Sequence, residues 1–245
     1  MESTRVDGTD MFARYANAPN ALGFCGPADA ELRGGARQAV RAAAQKFSGA
    51  WPYLQVMSKL TGIDDPLDGR LVESYWLGGG VGADLDAAEF AAELLAVIGP
   101  VAGHYWAHLT PDLAGEAAAN HCFHVFGVYP WSRLLGKGND EHPVCVLDSC
   151  RIMWGRVLAA ADSEVVVRCR HLSWDGNRLA LSAPAPRRVA VWHNGYSAMP
   201  DVAVGDIVAL HWDQLCGRLR PQQVRHLAAT TIRQLRVTNE RLSRR

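Results

Sequence analysis

Apolar residues recur with one period in the first part of the chain and another in the last, and the change falls near residue 145. Before it the spacing is helical. Ala87, Phe90, Ala91, Leu94, Leu95 and Ile98 return every three or four positions, behind an Asp86-x-x-Glu89 pair placed as a capping box and ahead of a Gly99-Pro100 stop. Leu32, Ala36, Val40, Ala43 and Phe47 share one face across 29–47, although Gly34 and Gly35 each cost that helix about 1 kcal/mol relative to alanine. Gly78–Gly80 and Gly82 read as a flexible connector, and Pro52, Pro66, Pro100 and Pro111 punctuate the rest. The pattern predicts roughly five or six short helices here.

After residue 145 the period falls to two. Arg151–Ala159, Glu164–Arg170, Arg178–Ser182, Arg187–Trp192 and Gly205–Trp212 each read as a short strand. Turn chemistry separates them at Ala161-Asp162-Ser163, at Asp175-Gly176-Asn177 and around Pro184 and Pro186. Short strands at such spacing over about 65 residues predict a small closed or nearly closed barrel. Behind Pro221, the residues Val224, Leu227, Ala228, Thr231, Ile232 and Leu235 form one apolar stripe, so a last helix should pack on the barrel with its arginines outward. The expected fold is therefore α+β: an α-helical N-terminal domain over 1–144, then an OB-like β-barrel with a C-terminal helix over 145–245.

A chain of 245 residues has room for one large domain or two modest ones, and 49% hydrophobic with 20% charged residues is enough to bury a core. The formal net charge is zero but uneven: from Arg218 to Arg245 eight arginines face the single acid Glu240, a formal +7 that leaves −7 for the rest. A basic tail attracts nucleic acid or an acidic protein surface, but no nucleic-acid module surrounds it, so it reads as a solvated helix face. The apolar stretch Phe90–Val101 is broken by Glu93 and too short to span a membrane, and Met-Glu-Ser-Thr-Arg lacks a signal-peptide pattern. The expectation is a cytoplasmic protein whose six cysteines are reduced thiols, none of them in a Cys-x-x-Cys pair.

Few motifs point to catalysis. His104 and His108 share a helix face, and His121, Cys122 and His124 follow closely. A metalloprotease would need Glu after the first histidine, where this chain has Tyr105. These histidines read first as core or surface residues; a metal-dependent enzyme using His104, His108, His121 and His124 is the alternative. No Gly-Lys-Ser/Thr follows the Gly78–Gly82 run, no Gly-x-Ser-x-Gly occurs, and Asp64-Asp65 beside Pro66 reads as a turn. Trp51, Tyr53, Tyr75, Trp76, Tyr105, Trp106, Tyr129 and Trp131 could form a partner-binding face, but such aromatics are core by default.

The segment Cys150-Arg151-Ile152-Met153-Trp154-Gly155-Arg156-Val157 stands apart, followed by Val204-Gly205-Asp206-Ile207-Val208-Ala209-Leu210-His211 and then the amphipathic helix. A thiolate is a soft ligand suited to low-spin iron, and imidazole is a common second ligand. A barrel can bring the start of its first strand to the end of its last, and so Cys150 to His211. By spacing alone, a buried cysteine and a core histidine would look the same.

At these residues the sequence resembles the small HypC/HupF-type chaperones of nickel–iron hydrogenase maturation. Cys150, Gly155, Arg156 and Val157 match that family's opening, Val204, Gly205, Asp206, Val208 and His211 its Val-Gly-Asp-x-Val-x-x-His element, and Leu219 to Arg236 its trailing helix, in the same order over about 90 residues. The resemblance implies that Cys150 and His211 help hold an iron dicyanide–carbonyl unit. It also implies partners, a scaffold protein that builds the unit and the hydrogenase large-subunit precursor that receives it, and a carrier rather than an enzyme. The chain departs from the family in four places: Cys150 is internal, Trp154 stands where proline is usual, the stretch from His171 to Asp201 is longer, and residues 1–144 have no counterpart. Those front residues would recognise a partner; a non-catalytic adaptor, its basic last helix binding an acidic partner or RNA, is a further alternative. The whole chain, including Met11–Tyr15 and Phe123–Trp131, resembles an uncharacterised bacterial family.

Overall fold

Residues 7–101 and 108–244 are described by the structure, a computed structural model, and the chain falls into two units, Met1–Pro130 and Trp131–Arg245. The helical periodicity of the first unit becomes α1 (Gly8–Ala21), α2 (Arg37–Ala44), α3 (Trp51–Thr61), α4 (Gly69–Leu77), α5 (Gly80–Ala83), α6 (Ala87–Ile98) and α7 (His121–Phe123), the last running into a π-helical turn over His124–Val128. The Asp86 carboxylate accepts the Glu89 amide at 2.8 Å, so α6 starts where its cap signal lies and ends at Ile98 before Gly99-Pro100. The helix expected across 29–47 survives only as α2, because the chain stays irregular through Gly34 and Gly35.

The glycine connector is more ordered than its composition suggests. The Ser74 hydroxyl donates to the Gly79 carbonyl at 2.5 Å and accepts the Gly82 amide at 2.9 Å, which ties α5 back onto α4. Tyr53, Tyr75 and Trp76 are core, packed with Phe12, Phe47 and Phe90; Phe12 meets Phe47 edge-on at 5.2 Å between ring centroids, and Tyr53 meets Tyr75 at 5.4 Å. Trp51 and Tyr129 are half-buried, while Tyr105 and Trp106 lie outside the described residues.

The second unit opens with α8 (Trp131–Leu134) and α9 (Glu141–Cys150) and continues through β1 (Met153–Ala160), β2 (Glu164–Cys169), β3 (Leu172–Trp174), β4 (Leu179–Leu181), β5 (Ala185–Ala190), β6 (Ile207–His211), β7 (Gln214–Arg218) and α10 (Pro221–Leu242). Antiparallel pairing orders five strands as β5-β2-β1-β6-β7, and β3 and β4 form a separate hairpin around Asp175-Gly176-Asn177. The period-two pattern turns Met153, Val157, Val165, Val167, Val208 and Leu210 into one apolar face, the core of the unit.

The α+β class holds, but the barrel does not close. β5 and β7 are the two edges of the sheet and share no ladder. β5 carries Pro186, which has no amide to donate, and the charged pair Arg187 and Arg188, both devices that keep a strand at an edge. Two strands escaped the sequence reading, the short β3 and β7, which follows β6 after a two-residue turn.

In α10 the buried stripe runs Leu227, Thr231, Leu235, Thr238 and Leu242, whereas Ile232, read as part of it, is 62% exposed. Arg225 and Arg236 face solvent. Asn239 completes the edge of β4 as a strand would: its amide donates to the Leu179 carbonyl at 2.9 Å and its carbonyl accepts the Leu179 amide at 2.8 Å. No helix among the described residues is long and apolar enough to cross a membrane.

Candidate functional site

Cys150 is the last residue of α9, not the head of a strand. The helix stops there because Arg151 is extended, at φ −67° and ψ 146°, and the chain passes straight into β1. β1 pairs antiparallel with β6 from Met153 opposite Leu210 to Arg156 opposite Ile207. That register points the start of β1 at the end of β6, and one further hydrogen bond, from the Trp212 amide to the Ser149 carbonyl at 2.9 Å, extends the match to the residue before Cys150. As a result a ligand atom of Cys150 and one of His211 lie within 4.8 Å, and both residues are buried, 5% and 1% exposed.

The turn after His211 is unusual. Trp212 and Asp213 both have positive φ, 49° and 59°, the geometry of a type I′ hairpin turn that normally selects Gly or Asn. A bulky residue held there costs on the order of 1–3 kcal/mol and persists only where surrounding contacts demand it. The Trp212–Ser149 hydrogen bond is such a contact, and it fixes the hairpin beside the end of α9.

The other motif residues build the ladder that aligns this pair. A side chain at Gly155 would meet the Arg168 carbonyl oxygen at 2.5 Å and Val167 Cγ1 at 2.6 Å, so only glycine lets β2 approach β1 here. Gly205 sits at φ +95°, takes the turn into β6 and donates to the Val157 carbonyl at 3.0 Å. The Asp206 carboxylate accepts the Ala203 amide at 3.0 Å and the Arg218 Nε–H at 2.8 Å, tying β7 to the same turn. None of the three touches a ligand atom; each sets register.

Beneath the pair lies a polar network that the sequence reading passed over. Arg151, 1% exposed, ion-pairs through Nη2 with Asp148 Oδ1 at 2.7 Å and donates a second bond to the Arg170 carbonyl. Asp148 also accepts the Leu172 amide at 2.7 Å and the His171 Nδ1–H at 3.0 Å. One carboxylate thus joins the end of α9, the start of β1 and the entry to β3. The signal was present as an acid and an arginine three apart at a helix end, flanking Cys150.

Cys150 stands at the negative end of the α9 dipole, where a thiolate gains from a neighbouring cation. A sulfur and a nitrogen on one tetrahedral metal are about 3.6 Å apart for bond lengths near 2.3 and 2.05 Å. The pair offers one soft and one borderline donor, a set that suits zinc or low-spin iron rather than calcium or magnesium.

The histidines of the helical unit are placed differently. His104 lies outside the described residues. His108 Nε2–H donates to the Val128 carbonyl at 2.7 Å, and the Tyr75 hydroxyl hydrogen-bonds His121 Nδ1 at 3.2 Å. His124 is buried between Tyr53 and Tyr129, with ring centroids 5.4 and 4.3 Å away, and burial drives its pKa down to about 3, so it stays neutral. Within this unit's described residues no three such side chains bring their ligand atoms together. Near them, burial pushes the Cys25 thiol up to about 12 against a Gly49 amide that favours the thiolate; the residue is partly exposed but its sulfur is covered.

The chain belongs to the family of unknown function DUF6390, with the match spanning residues 4–245. No curated protein and no solved structure matches it.

Proposed function

We propose that this protein is an assembly chaperone of nickel–iron hydrogenase that carries the iron dicyanide–carbonyl unit on Cys150 and His211. The observation that carries the reading is the approach of those two side chains to within 4.8 Å at the buried end of the β1–β6 ladder. The resemblance of residues 150–236 to the HypC/HupF chaperones supplies the cargo and the clients, and the residues of its motif that are not ligands, Gly155, Gly205 and Asp206, hold the register that aligns the ligands.

Two protein ligands suit a carrier. The cargo arrives with its own diatomic ligands, so the protein need supply only a thiolate and an imidazole, and release to the large-subunit precursor requires breaking just two bonds. Binding converts the Cys150 thiol to thiolate, the proton passing to solvent. His211 supplies whichever ring nitrogen faces the iron. The helical unit then serves as the partner-recognition element.

The test is infrared spectroscopy on protein purified without oxygen from cells that make the maturation scaffold. Cyanide and carbon monoxide stretches are expected, absent in Cys150→Ala and weakened or shifted in His211→Gln, with both variants folded by circular dichroism. Folded wild-type protein that shows no such bands in the presence of the scaffold, or bands indifferent to Cys150→Ala, overturns the proposal. In the host, Cys150→Ala should abolish hydrogenase activity.

A further inference from the structure

A second opening lies elsewhere in this unit, and neither Cys150 nor His211 lines it. It is a pocket of about 510 Å³ between the outer face of β1, β2 and β6 and the first turn of α10. That size is typical of small-ligand sites.

Its charge is one-sided. Arg156 on β1 stands directly opposite Arg168 on β2, and Arg170 follows two residues on along the same face. Like charges facing each other across an antiparallel pair repel, yet no acidic side chain lines the pocket. Among the described residues none of the three joins an ion pair; Arg156 and Arg170 each donate to one backbone carbonyl, of Gly205 and Ser182. The fourth arginine, Arg151, is spent on Asp148 and forms part of the floor. The positive end of the α10 dipole, at Pro221, adds to the same field.

The remainder of the lining carries no charge, and its large side chains are the apolar Trp154, Ile207, Leu219 and Val224. Trp154 is half-buried and shares the outer face of β1 with Arg156. An inorganic anion would leave most of this volume and all of that surface unused.

We propose that the pocket binds a small organic phosphate with a flat, apolar body, the chemistry of a nucleotide. Arg156, Arg168 and Arg170 grip the phosphates as guanidinium forks do, and the body rests on Trp154 against Leu219 and Val224. This inference stands independently of the iron-carrier reading, because neither Cys150 nor His211 lines the pocket.

The experiment is isothermal titration calorimetry on the full chain with ATP, AMP, adenosine and inorganic pyrophosphate. ATP is expected to bind more tightly than pyrophosphate, and adenosine without phosphate is expected not to bind. Arg168→Glu, on an exposed side chain, should weaken ATP at least about tenfold, as should Trp154→Leu. Arg225→Glu, the same charge change on α10 outside the pocket, should have little effect. The proposal is overturned by no binding of either nucleotide at millimolar concentration, by pyrophosphate binding as tightly as ATP, or by Arg225→Glu weakening binding as much as Arg168→Glu. Circular dichroism of each variant separates lost binding from lost fold.

Discussion

Arg151→Met removes one half of the ion pair beneath the candidate site while nearly keeping the side-chain volume. The arginine side chain is 1% exposed and that of Asp148 14%, so water screens the pair weakly. Breaking a buried pair from one side typically costs about 3–5 kcal/mol, because the abandoned charge stays desolvated. Asp148 would keep the Leu172 amide at 2.7 Å and the His171 Nδ1–H at 3.0 Å, and it has some access to solvent. Those partners place the expected loss near the lower bound, about 3 kcal/mol. In a chain of this length that corresponds to a fall in Tm of about 6–12 °C.

Asp148→Asn strands the opposite charge, leaving Arg151 with neutral carbonyl acceptors only, and should cost at least as much. The double variant removes both charges and should lose less than the two single effects together, with a coupling of about 2 kcal/mol. Urea denaturation of the four proteins at neutral pH, followed by circular dichroism, measures the cycle. A loss below about 1 kcal/mol for Arg151→Met, or single effects that simply add, would refute the argument that one carboxylate ties these elements together.

Three other outcomes are expected. His124 is neutral in the folded chain down to about pH 3, whereas the unfolded chain takes up its proton near 6.5; stability should therefore be full above 6.5 and fall as pH drops between those values, by up to about 1.4 kcal/mol per pH unit, with a shallower slope in His124→Phe when urea midpoints are compared. Gly155→Ala forces a methyl to within 2.5 Å of a backbone oxygen and should cost about 1–3 kcal/mol, whereas Gly115→Ala, with nothing near and no positive φ, should be neutral or stabilise by up to about 1 kcal/mol in the same assay. Alkylation by iodoacetamide at mildly alkaline pH, read by mass spectrometry, should modify exposed Cys145 first and spare Cys25, whose thiol is held protonated.

Much of the architecture is a local property and so was legible in the sequence. A helix period of three to four and a strand period of two are imposed by backbone geometry, which is why the change of pattern near residue 145 announces the α+β class. The Asp86 cap, the Asp175-Gly176-Asn177 turn and Pro221 at the start of α10 act through hydrogen bonds and dihedrals a few residues apart, and each stands where its signal lies. Even Cys150 and His211 could be singled out, because a thiol and an imidazole at the two ends of a strand-rich segment are chemistry carried by residue type.

What the sequence could not decide depends on partners distant along the chain. Whether the sheet closes is settled by whether β5 meets β7, and a proline and two arginines on β5 read as an edge only once its neighbours are known. Ile232 fits a helical stripe by spacing, but which side of α10 is covered is set by the surface beneath it, and it lies exposed. The nearness of Cys150 to His211 rests on the register of β1 against β6 and on one hydrogen bond to Ser149. The arginine pocket is likewise a product of register, which sets Arg156 facing Arg168. Composition and period specify the elements; pairing between distant strands, where a slip of one residue turns every side chain to the other face, places the chemistry.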